Sequence, residues 1–216
     1  YYIDYGMALI QCENYDEALI QFDKAILDKE NKIVRQNNKL AHRGKGIAYF
    51  NAAQYQLAVN EFETAYKISE FNDLDIDILF YLGDAQTKLL DNKGALETYS
   101  KILKRKPGQS VAYYKRAIIE GNLEQLDQSI ADFDKAISYE KDNYEYYFGK
   151  YAILVQQGDV DGANEVLSKA LAIKTKTKED YYNVARIHYY QQDYNTAKSE
   201  LTQAVVDGFA SASFYL

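Results

Sequence analysis

Three aspartates at alternating positions, Asp73, Asp75 and Asp77, come closest to a metal site in this sequence. Carboxylates at this spacing open the loops that hold calcium between two helices. Such a loop needs glycine where Ile78 stands and must stay non-helical to its twelfth residue. Residues 78–89 instead have the apolar spacing of a helix. We therefore predict that the aspartates cap the start of that helix and bind no metal.

The other reactive side chains are few and far apart. His42 and His188 occupy positions of a recurring helical pattern that aromatic residues hold elsewhere, so both are predicted to pack. Cys12 is the single cysteine, which forbids an intramolecular disulfide, and we predict a buried thiol. No phosphate-binding glycine loop, G-x-S-x-G or H-E-x-x-H motif occurs. The sequence therefore predicts no enzyme activity and no cofactor.

The composition is that of a globular domain without affinity for phosphate or lipid. Of the 216 residues, 47% are hydrophobic and 26% charged, and no Gly-, Pro- or Ser-rich linker interrupts them. We therefore expect one domain over 1–216. The net charge of -7 offers no basic stripe to nucleic acid or anionic membranes. No run of about 18 apolar residues is present, so no membrane span is predicted.

The decisive pattern is an internal repeat. Tyr113 recurs as Tyr147 and Tyr181, a period of 34 residues. Between these positions the apolar residues are spaced three and four apart, which is typical of two short amphipathic helices per repeat. The six matching skeletons are Tyr2, Ala18, Phe22, Ala25; His42, Ala58, Phe62, Ala65; Leu79, Ala95, Tyr99, Ile102; Tyr113, Ser129, Phe133, Ala136; Tyr147, Ala163, Leu167, Ala170; and Tyr181, Ala197, Leu201, Ala204.

This skeleton resembles the tetratricopeptide repeat, in which an aromatic, Leu-Gly, Tyr, Ala and Phe recur in that order. The glycine is kept at Gly6, Gly46 and Gly83, whereas Tyr151 puts a bulky ring there. The resemblance implies an all-α, right-handed solenoid of six helix-turn-helix units, since one helix pair cannot cover its own apolar faces. The predicted repeats are 1–38, 39–75, 76–109, 110–143, 144–177 and 178–211, with 212–216 opening a truncated helix.

The first two repeats are longer than the rest. Ala18 and Ala58 are 40 residues apart, and Ala58 and Ala95 are 37 apart, against 34 later. We expect the extra residues, around 29–38 and 71–75, to lengthen the second helix or the loop that follows it.

In proteins of this family the first helices of successive repeats line a concave groove that contacts ligands. Carried over position by position, the resemblance implies a groove that is apolar and aromatic, although packing between repeats is the alternative for any one residue. The predicted binding residues are Met7, Arg43, Ile47, Phe50, Phe80, Asp84, Tyr114, Ile118, Phe148, Val155, Tyr182, Arg186 and Tyr189.

The resemblance implies a scaffold that binds a protein or peptide. Family members that grip a terminal carboxylate use Lys, Asn and Arg at groove positions where this chain has Ile3, Met7 and Phe80 among others, so an apolar peptide is the predicted ligand. The alternative is a structural subunit of a homo-oligomer or larger assembly that stacks end to end through 212–216. Because the sequence opens with Tyr1, it is compatible with a leader or lipid anchor ahead of it. The sequence therefore does not indicate the cellular compartment.

Overall fold

The protein is all-helical in the part of the chain that the computed structural model describes, residues 1–29, 31–70, 72–174, 177–206 and 208. These residues form twelve α-helices and one short 3-10 turn, Asn72–Leu74, and no β-strand. They fall into two compact units, Tyr1–Ala112 and a second that begins at Tyr113. The predicted fold class, an all-α solenoid of helix-turn-helix units, is confirmed, and the single continuous domain stays a prediction.

The helices are α1 (Tyr2–Gln11), α2 (Tyr15–Ala25), α3 (Lys32–Asn51), α4 (Tyr55–Lys67), α5 (Asp75–Lys88), α6 (Asn92–Arg105), α7 (Ser110–Asn122), α8 (Leu126–Tyr139), α9 (Tyr144–Gln157), α10 (Val160–Leu171), α11 (Lys178–Tyr190) and α12 (Tyr194–Val206). In the first unit, each helix from α1 to α5 packs on the next one along the chain. In the second unit α8 packs on α9, α9 on α10, and α11 on α12. Within each unit the helices therefore stack in chain order.

The second and third positions of the recurring skeleton lie in the core of each repeat. Ala18 and Ala58 are fully buried, and the rings of Phe22 and Phe62 beside them are equally inaccessible. A Cβ atom on Gly46 would lie 2.5 Å from the Phe62 ring, so only glycine lets the first helix approach this closely. The small residues admit a neighbouring backbone, and the ring fills the space between the helices.

The turn between the two helices of each repeat has the same backbone conformation in all six. One residue in each turn is left-handed, with a φ of 58° at Glu13, 58° at Ala53, 60° at Leu90, 59° at Glu124, 84° at Gly158 and 63° at Gln192. The next residue is the N-cap position of the second helix, and in four repeats its side chain accepts a hydrogen bond from the first turn, as Asp159 does from the Gly162 N–H at 2.9 Å. Helix direction is therefore reversed by one repeated local geometry.

The extra residues around 29–38 do not lengthen the second helix of the first repeat, as predicted, but the helix that follows it. The second helix α2 ends at Ala25, and the additional residues extend the start of α3, which is 20 residues long. The Asn31 side chain caps that start by accepting from the Val34 N–H at 2.9 Å. The boundary predicted after residue 38 therefore lies inside α3, whereas those after 109, 143 and 177 coincide with the starts of α7, α9 and α11. The predicted helix at 212–216 lies outside the described residues.

Candidate functional site

First helices of the second unit bring three predicted binding residues together with a glutamate that was not predicted. Glu145 and Phe148 lie three residues apart on α9, and Tyr182 and Arg186 lie four apart on α11, so each pair shares one helix face. The Arg186 guanidinium is 2.6 Å from Glu145 Oε1 and 3.9 Å from the centre of the Phe148 ring. The Tyr182 ring centre is 5.8 Å from the same guanidinium. An arginine thus lies on an aromatic bed, with a carboxylate beside it.

Tyr114, on α7, completes this cluster. Its ring centre is 5.2 Å from that of Tyr146 on α9. Burial, and then the negative charge of Glu145, raise the pKa of the Tyr114 hydroxyl, while Arg186 acts in the opposite direction. Its electrostatic environment is therefore set by the ion pair of the neighbouring helices. We call Tyr114, Glu145, Phe148, Tyr182 and Arg186 the second-unit face.

A cavity of about 620 Å³ adjoins the second-unit face. The described residues that line it are Tyr182, Ala185, Arg186, Tyr189, Tyr190 and Leu201. The Tyr189 side chain is 61% exposed and Tyr190 is 39% exposed, so two large rings stand open to solvent at its rim. Tyr190 stacks on Tyr151 with ring centres 5.0 Å apart. The bulky residue that replaces the repeat's glycine therefore supports the rim.

A similar arrangement occurs in the first unit on a smaller scale. The Arg43 side chain of α3 donates to Asp77 of α5 at 2.5 Å, and its guanidinium lies 6.0 Å from the Tyr81 ring centre. Phe50 contacts the same ring edge-on, with centres 6.1 Å apart. Asp84 accepts a hydrogen bond from the Tyr99 hydroxyl at 2.6 Å, which commits its carboxylate to the core. Met7, Phe80 and Asp84 are all half-buried.

Two residues predicted to face a ligand are buried instead. Ile47 is 5% exposed and Phe148 is 6% exposed, so both pack in the interior, the alternative that the sequence left open for single residues. Phe148 packs under the Arg186 guanidinium and within the core of α9, α10 and α11. By contrast Ile118 and Val155 are 37% and 50% exposed, so both remain accessible.

Sequence reasoning missed the acidic partners of the two arginines. Asp77 and Glu145 each lie two residues before the skeleton's first position, Leu79 and Tyr147 respectively. The repeat alignment itself was therefore the signal that could have found them. Both carboxylates neutralise an arginine of a different first helix, and both sit on the face that the resemblance assigned to ligands.

The tetratricopeptide-repeat family models match residues 77–108 and 114–176 of the sequence. A TPR repeat-containing protein of Methanocaldococcus jannaschii is 29% identical over 107 residues, which are 50% of this chain. The chain therefore contains tetratricopeptide repeats (TPRs) over residues 77–108 and 114–176. It spans only 19% of that relative's length, so the match concerns the repeats and not the whole relative.

Several solved structures resemble the chain. YrrB, described as a TPR protein with an unusual peptide-binding site, is 21% identical with a TM-score of 0.64, covering 80% of this chain and 84% of its own. MamA from Desulfovibrio magneticus RS-1 is 20% identical with a TM-score of 0.66, covering 80% and 92%. PilF of Pseudomonas aeruginosa is 14% identical with a TM-score of 0.65, covering 94% and 88%. At these identities the likeness shows the fold alone.

Several smaller predictions can be set against this TPR fold. Cys12 is exposed at the end of α1, so the predicted buried thiol is wrong. The predicted aspartate cap of α5 is also wrong: its cap position is Leu74, and Asp75 and Asp77, in its first turn, pair with basic side chains. Among the described residues no group of three or more His, Cys, Asp or Glu side chains is placed to hold a metal. None of the described helices is long and apolar enough to cross a bilayer.

Proposed function

We propose that the chain is a protein-binding module that holds a peptide segment of a partner against the second-unit face. TPR repeats are in general protein-interaction scaffolds, and no constellation of a known catalytic type occurs in the sequence. The observation that carries the proposal is the convergence of Tyr114, Tyr182 and Arg186 from two first helices around the Arg186–Glu145 ion pair. Tyrosine and arginine are the residue types that most often dominate binding energy at interfaces.

Electrostatics favour a peptide over nucleic acid as the partner. The formal charge of the chain is -7, and the two arginines at predicted groove positions, Arg43 and Arg186, are each paired with a carboxylate. A phosphate backbone would meet no unneutralised positive stripe there. Half-buried rings with paired charges between them instead suit an uncharged backbone with apolar side chains.

A displayed library of random peptides, selected against the intact chain, tests the proposal. We expect bound peptides whose dissociation constant rises at least about tenfold in Arg186→Ala, as for an interface anchor. Lys150→Ala is the matched control, because Lys150 forms a 2.6 Å ion pair with Asp134 in the same unit but outside the second-unit face. Equal loss in both variants would contradict the proposal, as would a selection that returns no binder.

Assembly of copies end to end is the second candidate, favoured by a different surface. Tyr1, Tyr2 and Tyr5 are 86%, 44% and 43% exposed, and the Tyr1 ring lies 5.4 Å from Tyr2 and 6.2 Å from Tyr5. Light scattering over a range of concentrations tests it. Association that weakens in Tyr2→Ser/Tyr5→Ser, or on deletion of residues 211–216, would support stacking, and a monomer at all concentrations would exclude it.

A further inference from the structure

The cavity beside the second-unit face has a chemistry that selects its occupant. Three of its described lining residues are tyrosines, Tyr182, Tyr189 and Tyr190, and two more, Ala185 and Leu201, are apolar. Ala185 is 1% exposed and Leu201 is 9% exposed, so they form the floor while the tyrosines form the walls. A volume of about 620 Å³ is within the range that accommodates a small ligand or one to two large side chains.

The one positive charge that lines the cavity is already neutralised within the protein. Arg186 is the one formally charged residue among the described lining, and Glu145 accepts from its Nη1 at 2.6 Å. A lysine side chain would meet the guanidinium as a like charge, and a carboxylate would compete with Glu145 for it. Ligands of either charge are therefore disfavoured, and neutral ones are not.

An aromatic side chain gains more here than an aliphatic one. The walls offer ring edges and faces, and pairs of aromatic rings attract one another beyond what the area they bury contributes. The Arg186 guanidinium already lies over Phe148 at 3.9 Å, and it is a cation–π partner for a second ring as well. The tyrosine hydroxyls at the rim can hydrogen-bond the backbone that carries the anchor.

We propose that this cavity binds an uncharged aromatic side chain, such as phenylalanine, that anchors a partner peptide. The inference rests on the proposed function, since it names the anchor of the peptide held at that face. It adds a specificity that the fold does not give, namely a preference for aromatic over aliphatic side chains and for neutral over charged ones.

Single amino-acid probes test the cavity apart from peptide binding. N-acetylphenylalaninamide is titrated into the full chain and followed by amide NMR shifts, with the leucine, lysine and glutamate analogues for comparison. We expect saturable shifts at Tyr182 and Tyr189 with the phenylalanine probe, several-fold weaker binding of the leucine probe, and no saturation with the two charged probes. Equal affinity for all four probes would overturn the proposal.

Variants at the rim give a second readout without disturbing the core. Tyr189→Ala removes a ring that is 61% exposed, and Tyr139→Ala, 49% exposed and outside the cavity, is the matched control. We expect affinity for the phenylalanine probe to fall at least tenfold in the first variant and to stay within twofold in the second.

The outcomes separate this inference from the proposed function. Library peptides that lose affinity in Arg186→Ala but not in Tyr189→Ala would leave the peptide-binding face intact and overturn the aromatic cavity. Probe binding that appears only after residues 209–216 are deleted would make the chain's own end the occupant, which also overturns it. Probe binding without any peptide binding would support the cavity and contradict the proposed function.

Discussion

The Lys39 ammonium lies 2.6 Å from a carboxylate oxygen of Asp75, and both side chains are buried in the first unit. Lys39 also donates to the Ile68 carbonyl at 2.9 Å, and Arg105 binds the second Asp75 oxygen. One carboxylate therefore joins α3, α5 and α6. Two charges removed from water are tolerated only because each has its partners in place.

Removing that carboxylate should be costly. Asp75→Ala leaves the Lys39 charge buried without its ion-pair partner, and we predict a loss of about 3–5 kcal/mol in the free energy of unfolding, measured by urea denaturation. Asp77→Ala is the control, because its ion pair with Arg43 is partly exposed and should contribute no more than about 1 kcal/mol. Equal losses in the two variants would show that burial does not matter here.

Glu120 is a second buried carboxylate, but it is poorly compensated. Arg116 donates to Asp132 at 2.5 and 2.8 Å, whereas it lies 3.7 Å from Glu120 Oε1. The buried Glu120 Oε2 has no hydrogen-bond partner among the described residues. Burial, and then the charge of Asp132, raise the pKa of Glu120 to about 7, against the opposing effect of Arg116.

This shift predicts a pH-dependent stability with a definite sign. Between about pH 4.5 and 7 the folded chain retains a Glu120 proton that the unfolded chain releases, so stability falls as pH rises through this window. The free energy of unfolding of Glu120→Gln should therefore exceed that of the wild type by about 1–3 kcal/mol at pH 8 and by much less at pH 4.5, as measured by urea denaturation. Glu97→Gln, at an exposed position, serves as the control. A gain of the same size at both pH values would contradict this assignment.

The left-handed residue in each turn predicts that a Gly→Ala and an Ala→Gly substitution at this position change stability in opposite directions. Gly158 has a φ of 84° and open space around a Cβ, so Gly158→Ala should lose about 1 kcal/mol through backbone strain alone. The exposed Ala53 has a φ of 58° at the same position of its repeat, so Ala53→Gly should lose nothing and gain up to about 1 kcal/mol. Thermal unfolding of both variants checks the pair, and a stabilised Gly158→Ala protein would refute it.

A buried small residue should not accept a larger one. Ala136 is fully buried on α8, and Ala136→Leu should lose about 1–3 kcal/mol through overpacking. Ala152→Leu, at an exposed position of α9, is the control and should change the melting temperature little. A melting curve for Ala136→Leu that matches the wild type would contradict the placement of this residue.

The repeat skeleton predicted most of the fold because packing repeats with it. Ala18, Phe22 and their equivalents recur at fixed spacing, and the same spacing buries them in every unit. The burial of Lys39 on α3 was not predicted, because it is favourable only with Asp75, which lies 36 residues away. The local sequence pattern does not reveal an ion-pair partner that lies so far away in the chain.

The candidate site was predicted only in part, for a related reason. Position in the repeat correctly put Tyr182 and Arg186 on the same face as Phe148, but it did not say which of these is solvent-exposed. Phe148 is buried because the Arg186 guanidinium covers its ring, and that contact depends on the pairing of α9 with α11. The ion pair with Glu145 positions the Arg186 guanidinium.

Amide NMR of the isotope-labelled chain with a library-selected peptide tests the central claim most directly. Binding at the second-unit face predicts saturable shifts that concentrate at Tyr114, Tyr182, Arg186 and Tyr189, with little change at the exposed side of α10, for example at Glu165. Shifts that concentrate on α8 and α10 and leave α9 and α11 unchanged would contradict the account.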